Sequence, residues 1–141
     1  MTTEIAKIAE RIARAAHSGQ FRRDGRTPYI THPERVAARA AERTGNDPVV
    51  VAAAWLHDVL EDTAETVESL QQAGIPAAVI AAVDLVTKRD GVAYDAYLAK
   101  IRQHDVAREV KIADMLDNLS DSPVDAQIIK YARGLLVLHS E

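Results

Sequence analysis

The sequence predicts an all-α protein, a single-domain helical bundle over residues 1–141, on three observations. Apolar residues recur at spacings of three and four along most of the chain, and no stretch keeps the period of two that marks a half-buried strand. Apolar residues make up 48% of the chain and aromatic ones only 4%, so alanine, valine, leucine and isoleucine must fill the core. Small, helix-favouring side chains of this kind suit closely packed helices. Apart from Gly134, the glycines and prolines fall between the periodic runs or at their ends, where helices stop and start.

Taken in order, Ile5, Ile8, Ile12 and Ala15 give an amphipathic first helix over residues 3–17, stopped by Ser18-Gly19. Residues 18–31 carry two glycines, a proline and three arginines and read as a basic loop. Pro33 suits the first turn of a second helix over 33–43, closed by Thr44-Gly45. Asp47-Pro48 opens a third, whose VVVAAAWL stretch is apolar almost all round and therefore central. It is expected to run straight into His57-Asp58-Val59-Leu60-Glu61-Asp62. Thr66 caps a short helix ending before Gly74, and Pro76 starts a fifth that carries Val79, Ile80, Val83 and Val86 to about Thr87. After a turn at Lys88–Gly91, Tyr94, Tyr97, Leu98 and Ile101 mark a sixth helix. Val106, Val110, Ile112, Ala113 and Leu116 mark a seventh. Pro123 begins the last, with Ile128, Ile129, Leu135, Leu136 and Leu138 expected to turn inward.

Composition excludes several classes of function. Without cysteine the chain has neither disulfides nor thiolate metal ligands. The N-terminal stretch mixes apolar with charged residues, so no signal peptide is expected, and no apolar run nears the ~20 residues of a membrane span. A formal charge of −4 argues against general nucleic-acid binding, which needs excess lysine and arginine facing phosphates. A cytoplasmic protein acting on a small molecule is the expectation.

The chemistry concentrates at the end of the most hydrophobic helix. His57, Asp58, Glu61 and Asp62 are costly there unless partnered. On a continuous helix His57 lies beside Glu61, and Asp58 beside Asp62. His32 stands at the mouth of another helix, directly before Pro33, and Asp114 follows apolar positions in VKIAD. Each residue alone has an ordinary explanation. His57 could be a core histidine bonded to a carbonyl, Asp62 turn chemistry, and Asp114 the partner of Lys111. None of these explains the set. Two imidazoles and two carboxylates make a hard donor set with open positions, better suited to Mn²⁺ or Fe²⁺ than to a closed zinc site.

The segments AHSGQFRRDGRTPYITHP, AAAWLHDVLEDT, LVTK and VKIADMLDNLSD resemble the hydrolase domain of RelA/SpoT-type alarmone enzymes. They are more similar still to stand-alone small alarmone hydrolases of the HD superfamily. The likeness runs from about residue 10 to 120. It implies an HD-type helical fold in which His32, His57, Asp58 and Asp114 hold a metal, normally Mn²⁺. It implies that Glu61 and Asp62 handle water and proton transfers, and that Arg22, Arg23, Lys88 and Asn118 line a nucleotide pocket. The implied activity is removal of the 3′-pyrophosphate from (p)ppGpp. Met115 stands where a basic residue is usual in this family, and Asp121 where a small hydroxyl residue often occurs. The 87–105 stretch is short. Two other readings follow: an HD phosphohydrolase of another nucleotide (ppApp or a nucleoside 5′-monophosphate), or a non-catalytic HD domain that binds a nucleotide. His17, His104 and His139 receive no role from the sequence.

Overall fold

A computed structural model describes residues 4–140. They form nine helical segments: α1 (Glu4–Ala16), α2 (Thr31–Thr44), α3 (Pro48–Leu56), α4 (Val59–Asp62), α5 (Val67–Gln72), α6 (Ala77–Val86), α7 (Tyr94–Arg102), α8 (Asp105–Leu119) and α9 (Asp125–His139). The only β feature among the described residues is an isolated bridge between Phe21 and Pro28. The expected start of the first helix at residue 3 lies outside them.

α3 is the axis of the bundle, packed by α1, α2, α6 and α8. Asp47 caps it, its carboxylate accepting from the amides of Val49 and Val50, and Pro48 takes the first position, where a missing N–H costs nothing. Val50 and Ala52–Leu56 are buried, and the run of alanines lets the flanking helices approach closely. Truncating the wholly buried Leu56 to alanine would cost about 2–5 kcal/mol. Gly45, in the left-handed conformation at φ 64°, ends α2 and turns the chain into α3.

Three expectations need correction. The third helix does not run straight through the acidic segment. It stops at Leu56, His57 and Asp58 form a turn, and the single-turn α4 carries Glu61 and Asp62. The break frees His57 and Asp58 from the helix surface, so both can aim at one point. In α1 the deepest residues are Ala6, Ala9 and Ala13, while Ile5, Ile8 and Ile12 are half-buried around them and Ala15 is exposed. In α9 only Leu138 and Gly134 are buried; Ile128, Ile129 and Leu136 face solvent, contrary to the inward orientation expected, and Leu135 lies between. α9 is the outermost helix and contacts only α7 and α8 strongly, so one narrow stripe suffices to hold it.

That stripe includes an unusual contact. A Cβ built on Gly134 would lie 2.7 Å from Met115 Cε and 3.5 Å from Leu98 Cδ1. α9 can approach α8 here because position 134 has no side chain.

Candidate metal centre and active site

Three helices and the turn after one of them deliver the cluster. His32 enters from the first turn of α2, His57 and Asp58 from the turn after α3, and Asp114 from the buried face of α8. His32 Nε2 lies 3.2 Å from His57 Nε2 and 2.9 Å from Asp114 Oδ1. His57 Nε2 is 3.1 Å from Asp58 Oδ2 and 3.5 Å from Asp114 Oδ1. Both histidines are 3% exposed, so their polar atoms must be satisfied within the site.

The far nitrogens decide which way each ring works. His57 Nδ1 lies 2.7 Å from the carbonyl oxygen of Ala54, which can only accept, so Nδ1 carries a proton. His32 Nδ1 lies 2.7 Å from Asp117 Oδ2 and donates to that carboxylate. In the neutral rings both Nε2 atoms are then lone pairs, pointed at each other and flanked by carboxylates. Such a set needs a shared cation. Imidazoles oriented from behind by a carboxylate or a carbonyl are the usual build of a metal site, and this donor set fits a divalent metal ion.

Electrostatics agrees with this geometry. Burial disfavours the charged form of His57, but the carboxylates of Asp58 and Asp114 overcome it and hold the ring well above its usual pKa. His32 is likewise raised, its burial outweighed by hydrogen bonds to Asp114 and Asp117. Burial pushes the Asp58 carboxyl up, and the His57 charge more than reverses this, bringing it to about 2. Asp114 falls well below the usual range because Lys111 and His57 outweigh its burial. Lys111 Nζ sits 2.9 Å from Asp114 Oδ2, so the pairing weighed from sequence is present, yet it occupies only one oxygen. The other faces the imidazoles.

Glu61 and Asp62 stand at the exposed rim, their carboxylates grouped with that of Asp58. Glu61 Oε1 accepts from the backbone amide of Lys88 at 2.8 Å. Partial burial, reinforced by the Asp58 charge, raises both carboxyls above their ordinary values. Asp114 is tied to Asn118, whose Nδ2 donates to Oδ1 at 3.1 Å.

A cavity of about 230 Å³ opens beside His32, lined by Arg22, Arg23, Tyr29, Asn118 and Gln127. Three of the four expected nucleotide-pocket residues therefore share one wall. Lys88 does not line this cavity; its Nζ donates to the carbonyl of Val92, and it reaches the site through its amide. Arg22 is already engaged, its Nη2 2.7 Å from Asp121 Oδ2 and its Nη1 3.8 Å from Asp117. Arg23 is exposed and makes no ion pair among the described residues.

Sequence reasoning missed Tyr29, Asp117 and Gln127. The Tyr29 hydroxyl donates to Asp58 Oδ2 at 2.5 Å, and burial, with the Asp58 charge next, pushes its pKa far up. Asp117 is 1% exposed and receives His32, with Arg35 Nε 2.9 Å from its other oxygen. A carboxylate three residues after Asp114 lies on nearly the same helix face, and that spacing was the available signal. No helix among the described residues is long and apolar enough to cross a membrane.

Comparisons with known proteins agree on the fold. The family described as HD domain matches residues 9–133. A guanosine-3′,5′-bis(diphosphate) 3′-pyrophosphohydrolase of Haemophilus influenzae is 41% identical over 114 residues, 78% of this chain and 16% of that protein. A GTP pyrophosphokinase of Streptomyces coelicolor is 38% identical over 79% of this chain and 14% of its own length. The chain thus spans 16% or less of the length of these curated relatives. Among solved structures, one described as a metazoan ortholog of SpoT that hydrolyses ppGpp superposes with a TM-score of 0.82 at 25% identity, covering 99% of this chain and 88% of that one. With its all-helical architecture and its His-Asp pair turned inward at the end of the central helix, the chain belongs to the HD domain family.

Proposed function

We propose that this protein removes the 3′-pyrophosphate from (p)ppGpp-like nucleotides, with Mn²⁺ held by His32, His57, Asp58 and Asp114. The observation that carries this reading is the pair of Nε2 lone pairs 3.2 Å apart, each ring anchored from behind, beside a cavity lined by two arginines. The Haemophilus influenzae relative and the metazoan SpoT ortholog, both described as acting on this nucleotide, support the substrate. When bound, the metal would supply a Lewis acid that lowers the pKa of a water and polarises a phosphoryl oxygen.

The residues would divide the remaining work. Glu61, held by the Lys88 amide, orients a water molecule and takes its proton. The water oxygen bonds to the phosphorus attached to O3′, the P–O3′ bond breaks, and pyrophosphate leaves. Asp62, the other carboxyl of the rim, delivers a proton to O3′. Arg23, Arg22 and Asn118 receive phosphate and ribose, and Lys88 shapes the rim through its backbone. Neither arginine carries an acceptor for the amino group of guanine, so base choice falls to backbone groups and pocket shape.

The test is kcat/KM for ppGpp, ppApp, GMP and AMP under one Mn²⁺ condition, with a chelated control and a Mg²⁺ comparison. A preference for 3′-pyrophosphorylated nucleotides and better support by Mn²⁺ than Mg²⁺ are expected. A preference for monophosphates would overturn the substrate and leave the metal centre standing.

A further inference from the structure

His17 directly follows α1 and is 1% exposed, a buried polar ring that neither the proposed metal centre nor the pocket uses. Its surroundings fix its protonation by elimination. Gln20 Nε2 donates to the carbonyl oxygen of Asp62 at 2.9 Å, which settles the orientation of the Gln20 amide. Gln20 Oε1 therefore faces His17 Nδ1, at 2.9 Å, and can only accept. Nδ1 carries the proton. His17 Nε2 is then a buried lone pair, without a hydrogen-bond partner among the described residues.

Two connections lead from this ring to the proposed chemistry. The strap His17–Gln20–Asp62 holds the last residue of α4, a single turn whose C-terminal carbonyls have few partners of their own. Across its face, His17 packs on Tyr29 with centroids 5.0 Å apart, and Tyr29 in turn holds Asp58 and meets the ring of His32 at 5.9 Å.

We propose that His17 is a positioning residue: through Gln20 it fixes the backbone that aims Asp62, and through its ring it fixes Tyr29 against Asp58. The role rests on the reading of Asp62 given above. It requires the Nδ1–H tautomer and the intact strap. Glu61, on the same turn, has its own anchor at the Lys88 amide, so loss of the strap misaims Asp62 without releasing the water-side carboxylate.

Two measurements test this. Long-range ¹H–¹⁵N correlation spectra of the full metal-free chain report the tautomer of His17. The Nδ1–H form is expected, and the Nε2–H form would overturn the proposal. Steady-state kinetics of the Mn²⁺-loaded protein with ppGpp then compare His17→Phe, His17→Gln and Gln20→Met. His17→Phe keeps a ring against Tyr29 but has no donor, and Gln20→Met keeps length but loses both bonds. Each should lower kcat by about 10-fold, within the range that misplacement of a reacting group produces. KM and bound manganese should stay unchanged. His17→Gln, which keeps a donor, should recover most of the loss. Unchanged kcat in Gln20→Met, or a lowered Tm with full kcat in His17→Phe, would show a purely structural ring. Should His17→Phe fail to fold, Gln20→Met alone decides. A wild-type protein that leaves ppGpp intact defeats the substrate reading, whereas an active wild type with equally active variants defeats only the role of His17.

Discussion

His32 and His57 reach the cluster from buried positions, each with its far nitrogen already bonded, whereas Arg23 and Lys88, proposed for the nucleotide side, stand in solvent. The inner wall is held together by contacts within the chain itself. Its charges are so deeply buried that each had to find a partner for the chain to fold. The outer wall is loosely committed: Arg22 is neutralised by Asp121 and Asp117, Lys88 Nζ binds a carbonyl, and Arg23 is free of ion pairs among the described residues. The contrast teaches that burial enforces geometry at the His/Asp cluster, while the proposed substrate end keeps its adjustable contacts at the surface.

The sharpest way to break this contrast is to open the inner wall. His57→Ala or Asp114→Ala should abolish bound Mn²⁺ and reduce activity by at least about 10³-fold, measured by metal analysis alongside turnover. A variant that keeps metal and rate would show that the wall is not a ligand set. Next in size is Glu61→Gln, expected to keep the metal while kcat falls about 10²-fold. Because the Glu61 carboxyl is raised, the acid limb of the wild-type kcat profile should lie above that of an ordinary glutamate, and the variant should lack that limb.

A third prediction concerns protons and metal competing for the same nitrogens. The pKa values of both histidines are raised in the metal-free chain, so their carboxylate contacts stabilise it fully below the unfolded value of about 6.5. That contribution is lost as pH rises through the folded values. Metal affinity should move oppositely, weakening as pH falls through the same window, which titration calorimetry across pH would read. Smaller effects belong to the outer wall. Arg23→Ala should raise KM for ppGpp and ppApp alike, by about 10-fold if one charge-assisted bond is lost. Arg22→Ala should raise it less, since two carboxylates already face that guanidinium. A larger effect at Arg22 would mean that substrate displaces Asp121.

The helices were legible because buried faces impose a period, and α3 announced itself by being apolar on every side. The residues of the cluster were legible for a related reason: His57, Asp58 and Asp114 are ionisable groups placed next to or among core positions, where only a partner makes them tolerable. The break after Leu56 was hidden. Nothing in HDVLED disfavours helix, and the turn arises because the two side chains must converge with residues from α2 and α8. Ile128, Ile129 and Leu136 misled because periodicity reports what could be buried, and α9 has neighbours on one stripe only. Tyr29 and Gln20 lie in a loop with no period at all, so their contacts with Asp58 and Asp62 exist only in three dimensions.

Gly134 has a mechanical consequence. The atoms it meets across the α8–α9 contact are the thioether end of Met115, the softest and most adaptable filler a core can hold. Gly134→Ala gains about 1 kcal/mol of helix propensity and must push that methyl aside, so thermal unfolding should change by no more than about 1 kcal/mol in either direction. Met115 is the neighbour of Asp114 in sequence, yet its flexible tip can absorb a shift of α9 without passing it to the carboxylate. The contact is therefore a compliant one. α9 also carries Gln127 into the cavity wall, so the same helix that rests on Met115 forms part of the pocket.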